Sequence, residues 1–142
     1  MHTIGIVIPT WQAAHHLPKT LPPLLASPLR PKILLIDSSS TDDTVAYAKS
    51  LEIDTFVIPR KTFQHGTTRE MGRKRLGTSI VVMLTQDAYL TSAESLQHLV
   101  FPLLSGSAAL SYGRQLPRPE ANALEAFPRL FNYPEQSHIR SI

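Results

Sequence analysis

Ile33-Leu34-Leu35-Ile36-Asp37-Ser38-Ser39-Ser40-Thr41-Asp42 is the stretch whose reading decides the fold. A short apolar run stops at a carboxylate, and hydroxyl and acidic side chains then lead into a helix-like segment, Asp42 to Leu51. An unbroken apolar run of this length reads as a strand buried on both faces, and a strand handing over to a helix is half of a βαβ unit. The pattern recurs along the chain. Ile4-Gly5-Ile6-Val7-Ile8 stops at Pro9, Asp54 to Ile58 stops at Pro59, and Ile80-Val81-Val82-Met83-Leu84 ends in Thr85-Gln86-Asp87. A weaker fifth strand is expected at Ala108 to Tyr112. Helical segments are expected over Gln12 to Leu25, Thr67 to Leu76 and Ser92 to Leu104. The alternation predicts an α/β fold: a Rossmann-like, doubly wound, mostly parallel sheet with helices on both faces.

Composition narrows the class. The chain has 142 residues, 42% of them apolar and 18% charged, which suits one buried core and argues against disorder. Fourteen Lys and Arg against eleven Asp and Glu leave a net charge of +3, far from that of a nucleic-acid tail. With no cysteine there is no disulfide framework, thiolate zinc site or Cys nucleophile. No apolar run approaches the roughly 18 residues of a membrane span. Strand-like residues follow Met1-His2-Thr3 directly, so a leader is not expected and the protein is read as cytoplasmic. Five of the twelve prolines lie between Pro18 and Pro31 and four between Pro117 and Pro134, which leaves a regular middle between a Pro-broken crossover and a Pro-punctuated tail.

In open parallel sheets ligands sit beyond the carboxyl ends of the strands. Three such ends are polar here: Thr10-Trp11-Gln12, Asp37 to Asp42, and Gln86-Asp87. Asp37 has two readings. Its carboxylate can accept from a nucleobase N–H or a ribose hydroxyl, or it can close a local turn while Thr41 or Asp42 caps the next helix. His65-Gly66-Thr67-Thr68-Arg69 precedes a helix whose N-terminus favours an anion. Residues 60–75 hold Arg60, Lys61, Arg69, Arg73, Lys74 and Arg75 against Glu70 alone. A guanidinium fork suits a diphosphate, so Arg69 is a candidate, whereas Lys74 and Arg75 read as a solvated helix face. Asp87, at the end of an apolar strand, can hold Mg²⁺ or Mn²⁺ together with substrate phosphates. His15 and His16 fall on different helical faces and do not suggest zinc, and His98 reads as surface or packing. With only 7% aromatic residues, nucleic acid is not an expected partner. Dinucleotide, P-loop and nucleophile-elbow motifs are all absent.

Taken in order, the motifs are more specific than any one of them. Ile6-Val7-Ile8-Pro9-Thr10, Leu35 to Thr44, His65 to Gly72 and Val82 to Ala88 resemble the successive motifs of family-2 glycosyltransferases of the GT-A fold. Leu84 to Ala88, Tyr112 to Pro119 and Phe131-Asn132-Tyr133-Pro134 look like the bacterial rhamnosyltransferase-type subgroup. The resemblance implies a nucleotide-diphosphate sugar such as dTDP-rhamnose as donor and a saccharide or lipid-linked acceptor. Through such acceptors it allows peripheral association with the inner face of the plasma membrane. It places Pro9, Thr10 and Gln86 at the nucleotide, Asp37 at the base, Arg69 near the diphosphate, and Asp87 as the metal-binding second Asp of a D-x-D motif. Two departures stand out: Thr85 replaces the first Asp of that motif, and Ser38-Ser39 replaces Asp-Gly.

Members of the family run to roughly twice this domain-sized length. Their later part supplies the acceptor site and a carboxylate base that deprotonates the acceptor for inverting displacement. After Asp87 this chain offers only Glu94, Glu120, Glu125 and Glu135, none in the family context. The expectation is therefore a donor-binding half, with residues 1–113 as the nucleotide-sugar domain and 114–142 as a Pro-rich continuation. A non-catalytic nucleotide-binding remnant is the alternative.

Overall fold

Residues 2–139 are described by the structure, a computed structural model. The apolar runs form four strands: β1 (Ile4–Thr10), β2 (Lys32–Asp37), β3 (Asp54–Val57) and β4 (Ile80–Met83). Helices α1 (Leu17–Leu25), α2 (Thr44–Ser50), α3 (His65–Leu76), α4 (Ser95–Leu104) and α5 (Ala123–Asn132) complete the order, with a 3₁₀ turn at Arg60–Thr62. All strand pairings are parallel, in the order β3-β2-β1-β4. The chain winds outward from β1 to β3 and then returns to β1's other side, so the switch point lies between β1 and β4.

The centre of the sheet is fully covered, as its unbroken apolar sequence requires. Every residue of β1 is buried, and β2 is buried from Ile33 to Asp37. Val7, Leu34, Ile36 and Ile58 form a core cluster against which Phe56, Phe63, Met71, Leu76 and Val81 pack. Ile6, Ile8 and Leu35 lie on the opposite face by the two-residue period, and they too are fully buried. Helix α3 approaches the sheet closely because Gly72 has no side chain: a Cβ there would come within 2.6 Å of Val7 and 2.9 Å of Ile36.

Several expected boundaries shift for identifiable reasons. β1 continues through Pro9 to Thr10. Pro9 has the parity of Val7, whose carbonyl accepts from Leu84 on the β4 side; pairing with β4 ends there, so Pro9 needs no donor. Helix α1 begins at Leu17 rather than Gln12, because Gln12 holds a positive φ of 49°, outside the right-handed helical region. At Ala108 to Tyr112 no strand forms: the amides of Ser107 and Ala108 both turn back to the Pro102 carbonyl. A helix, α5, forms in the Pro-punctuated tail, where none was expected.

The chain divides into two compact units, Met1–Val100 and Phe101–Ile142. Within the second, Arg114 Nε donates to the Tyr133 carbonyl (3.2 Å), its guanidinium lies 3.5 Å from Glu135, and Tyr112 meets Tyr133 edge to face. Asn122 and Glu125 close a reciprocal capping box at the start of α5.

Candidate functional site

The register places Thr10 beside Asp37, so the carboxyl ends of β1 and β2 meet side by side. Thr10 Oγ1 donates to Asp37 Oδ1 (2.9 Å), as does Ser40 Oγ (2.6 Å), and the Ser40 amide donates to Oδ2 (2.8 Å). Asp37 is fully buried and its carboxylate carries these three internal hydrogen bonds. The local-turn reading of Asp37 is therefore built into the fold.

Beyond β1, four consecutive amides are captured by side chains from the other two strand ends. Trp11 donates to Gln86 Oε1 (2.9 Å), Gln12 to Ser40 Oγ (2.9 Å), Ala13 to Thr44 Oγ1 (2.7 Å) and Ala14 to Asp42 Oδ2 (3.0 Å). These bonds satisfy the amides of Gln12 to Ala14 ahead of α1. They also give Ser40, Asp42 and Thr44 a physical purpose: their oxygens satisfy amides that a helix starting at Gln12 would have left without carbonyl partners. Gln12, at φ 49°, returns the contact, since its Oε1 accepts from the Thr41 amide (2.8 Å) and its Nε2 reaches Thr41 Oγ1 (3.1 Å).

The expected cap of α2 is revised. Asp43 holds the cap position without a side-chain bond, while Asp42 Oδ1 accepts from both the amide and the hydroxyl of Thr44. Burial acts to raise the Asp42 pKa, but the bonds from Thr44 and Ala14 outweigh it and hold the carboxyl below its ordinary value.

Gln86 grips the β1 end at both poles of its amide, because its Nε2 also donates to the Trp11 carbonyl (3.2 Å). Its own carbonyl accepts from Thr20 Oγ1 (2.7 Å), and His16 Nδ1 lies 2.6 Å from the Tyr89 hydroxyl. The turn that carries Asp87 is thus tied to α1 and β1 on either side. Asp87 itself is exposed, two residues beyond Thr85, whose carbonyl accepts from the Ala88 amide (3.1 Å). Among the described residues no group of three or more His, Asp or Glu gathers to hold an ion with protein ligands alone. A Mg²⁺ or Mn²⁺ ion at Asp87 would take this one carboxylate and complete its shell with phosphate oxygens and water, a habit that suits Mg²⁺.

Arg69, half-buried on α3, turns back to its own first turn, where Nη1 donates to the His65 carbonyl (3.2 Å) and approaches His65 Nδ1 (3.3 Å). Arg73 does not join it: both guanidinium arms bind Glu70 at 2.7 Å. That hydrogen-bonded Arg73 guanidinium holds the Glu70 carboxyl below its ordinary pKa. Pro9 is buried beneath Thr10.

Sequence reading named Trp11, Arg60 and Ser39 without anticipating what they do here. Trp11 stands exposed at the end of β1, and the Arg60 guanidinium stacks over its ring at 3.8 Å. Because β2 lies between β1 and β3, this pair joins the two strands flanking it. The available signal was a lone tryptophan directly after a buried strand. Ser39, whose Oγ donates to the Ile58 carbonyl (2.8 Å), adopts a positive φ of 58° at the position where the motif has glycine.

Known proteins are similar to this chain in sequence and in fold. Residues 5–140 match the family described as Glycosyl transferase family 2. The O-antigen chain rhamnosyltransferase RfbN of Salmonella typhimurium is 37% identical over 141 residues, a match covering 97% of this chain and 45% of the relative. The chain spans less than half the length of the curated relatives it matches. Among solved structures, TarS 1-349 of S. aureus superposes with a TM-score of 0.65 at 16% identity, covering 87% of this chain and 43% of that one. Glucosyl-3-phosphoglycerate synthase of Mycobacterium tuberculosis, in complex with Mn²⁺, UDP and glucosyl-3-phosphoglycerate, gives a TM-score of 0.55 at 24% identity, with 73% and 40% covered.

Proposed function

The chain belongs to glycosyl transferase family 2, and on that premise we propose that it is the donor-binding half of a sugar transferase. The donor is a nucleotide-diphosphate sugar, with rhamnose the first sugar to test given the relative's name, and the acceptor is a polysaccharide or a lipid-linked saccharide. One observation carries the reading: side-chain bonds tie the carboxyl ends of β1, β2 and β4 into one polar rim at the switch point.

In this reading Pro9 and Thr10 line the nucleotide pocket, and Gln86 and the Trp11–Arg60 pair border it. Asp37 is fully buried with three of its roughly four acceptor sites filled, so a base contact is left one site on Oδ2, and its standing role is to orient Thr10 and Ser40. Arg69 offers its fork to the diphosphate on releasing His65. Asp87 holds the divalent ion, which when bound offsets charge on the departing diphosphate. Mn²⁺ and UDP in the mycobacterial structure support a divalent ion beside the nucleotide. No helix among the described residues is long and apolar enough to cross a membrane.

The alternative, a nucleotide-binding module without turnover, is favoured by Thr85 standing where a carboxylate pair would bind the ion. Calorimetric titration with dTDP and UDP, with and without Mn²⁺ or Mg²⁺, tests the shared premise. Binding should strengthen with the metal, and Asp87→Ala should abolish that gain. A folded chain that binds neither nucleotide would count against the donor-binding reading and favour a non-catalytic remnant.

A further inference from the structure

We infer that the apolar face of α5 is one side of an interface whose other side is an aliphatic- and aromatic-lined polypeptide surface. Its source is the kind of segment that the rhamnosyltransferase relatives carry beyond the part this chain matches. The inference stands apart from the nucleotide reading and rests on α5 alone.

Helix α5 buries none of its residues. Leu124, Phe127, Leu130 and Phe131 are 86%, 66%, 55% and 75% exposed. Their spacing of three and four residues puts them on one face. Phe127 and Phe131 are stacked, 5.7 Å apart and 19° from parallel, so they already form a plate. The Asn122–Glu125 capping box fixes where the helix begins, so the face is presented by a defined element. Leu110, Leu116 and Ile139 of the same unit are exposed as well. A contiguous apolar patch of this kind marks an interaction surface.

Three occupants compete. A lipid surface would draw on cationic side chains, yet Arg114, Arg118 and Arg129 are balanced by Glu120, Glu125 and Glu135 between residues 101 and 139. A second copy of the chain would have one ten-residue helix, about 15 Å long, to pair with. That falls short of the roughly 800 Å² per partner of a stable interface. Further polypeptide fits better. The match to RfbN runs over 97% of this chain, yet it accounts for only 45% of that relative.

The test compares this chain alone with a chimera in which it replaces the stretch of RfbN that it matches. Amide exchange over residues 123–132 should slow by about tenfold or more in the chimera. Phe127→Ser with Phe131→Ser should lower the chimera's Tm by about 5 °C and leave that of the isolated chain unchanged. Equal exchange in both proteins overturns the inference. So does an isolated chain whose dimers, seen by light scattering, dissociate in the double variant, or one that floats with anionic vesicles until those residues are changed. If the chimera does not accumulate, the unmatched part of RfbN is tagged and co-expressed with this chain. A one-to-one complex lost in the double variant is then expected, and its absence overturns the inference.

Discussion

Ser39 holds a backbone angle that L-residues seldom adopt, and it does so at the carboxyl end of β2, where the chain must turn sharply toward α2. A non-glycine residue there costs on the order of 1–3 kcal/mol, partly offset by its bond to the Ile58 carbonyl, worth about 1 kcal/mol. Ser39→Gly should therefore stay within about 1 kcal/mol of the parent, because strain and bond leave together. Ser39→Val should destabilise by roughly 1–3 kcal/mol, since it keeps the strain, adds a β-branch and loses the bond. Urea denaturation midpoints check both, and a Val variant as stable as the parent would sink the account. Residue by residue, the polar strand ends were legible, since polar side chains interrupt apolar runs at Asp37 and Gln86. Which donors they serve was not. Nothing in the linear order shows that Ser40, Asp42 and Thr44 oxygens meet the amides of Gln12, Ala13 and Ala14 some thirty positions earlier.

At the level of elements, α3 has the least apolar sequence of the helices near the sheet, yet it lies on β1 and β2. Gly72 makes that possible, and its value can be measured. Gly72→Ala should gain up to about 1 kcal/mol of helix propensity. Against this, the new methyl overlaps Val7 and Ile36, and overpacking of this kind costs about 1–3 kcal/mol. The overlap wins, so a lower thermal midpoint is expected, and an unchanged or higher one would mean that α3 can shift outward freely. The four strands were readable because each apolar run is short and bounded by Pro or a polar cluster. Helix α5 was hidden by Pro117, Pro119, Pro128 and Pro134, although the Asn122-to-Glu125 spacing of a capping box lay in the sequence. The fifth strand failed for the opposite reason: a weakly apolar segment was given to the sheet when its leading amides close a turn after α4.

For the whole molecule, the buried apolar side chains among the described residues run from Ile4 to Val100, and none lies beyond. We therefore propose residues 1–113 as the part that folds by itself. A chain ended at Gly113 should melt cooperatively within a few degrees of the full chain, as followed by circular dichroism. Loss of a cooperative transition would show that the tail is needed for folding. The same asymmetry explains why family and fold class were legible early while the acceptor side was not: the sheet is encoded locally, and the tail's apolar face finds no partner within its own unit. Trp11, finally, is the only tryptophan in the sequence, and it stands at the rim under the Arg60 guanidinium. Its backbone is clamped by Gln86 while its ring is left partly in water. The sequence thus places its one indole fluorophore at the junction of the strand ends. Selective excitation would report, without any label, each event that lifts the guanidinium from the indole.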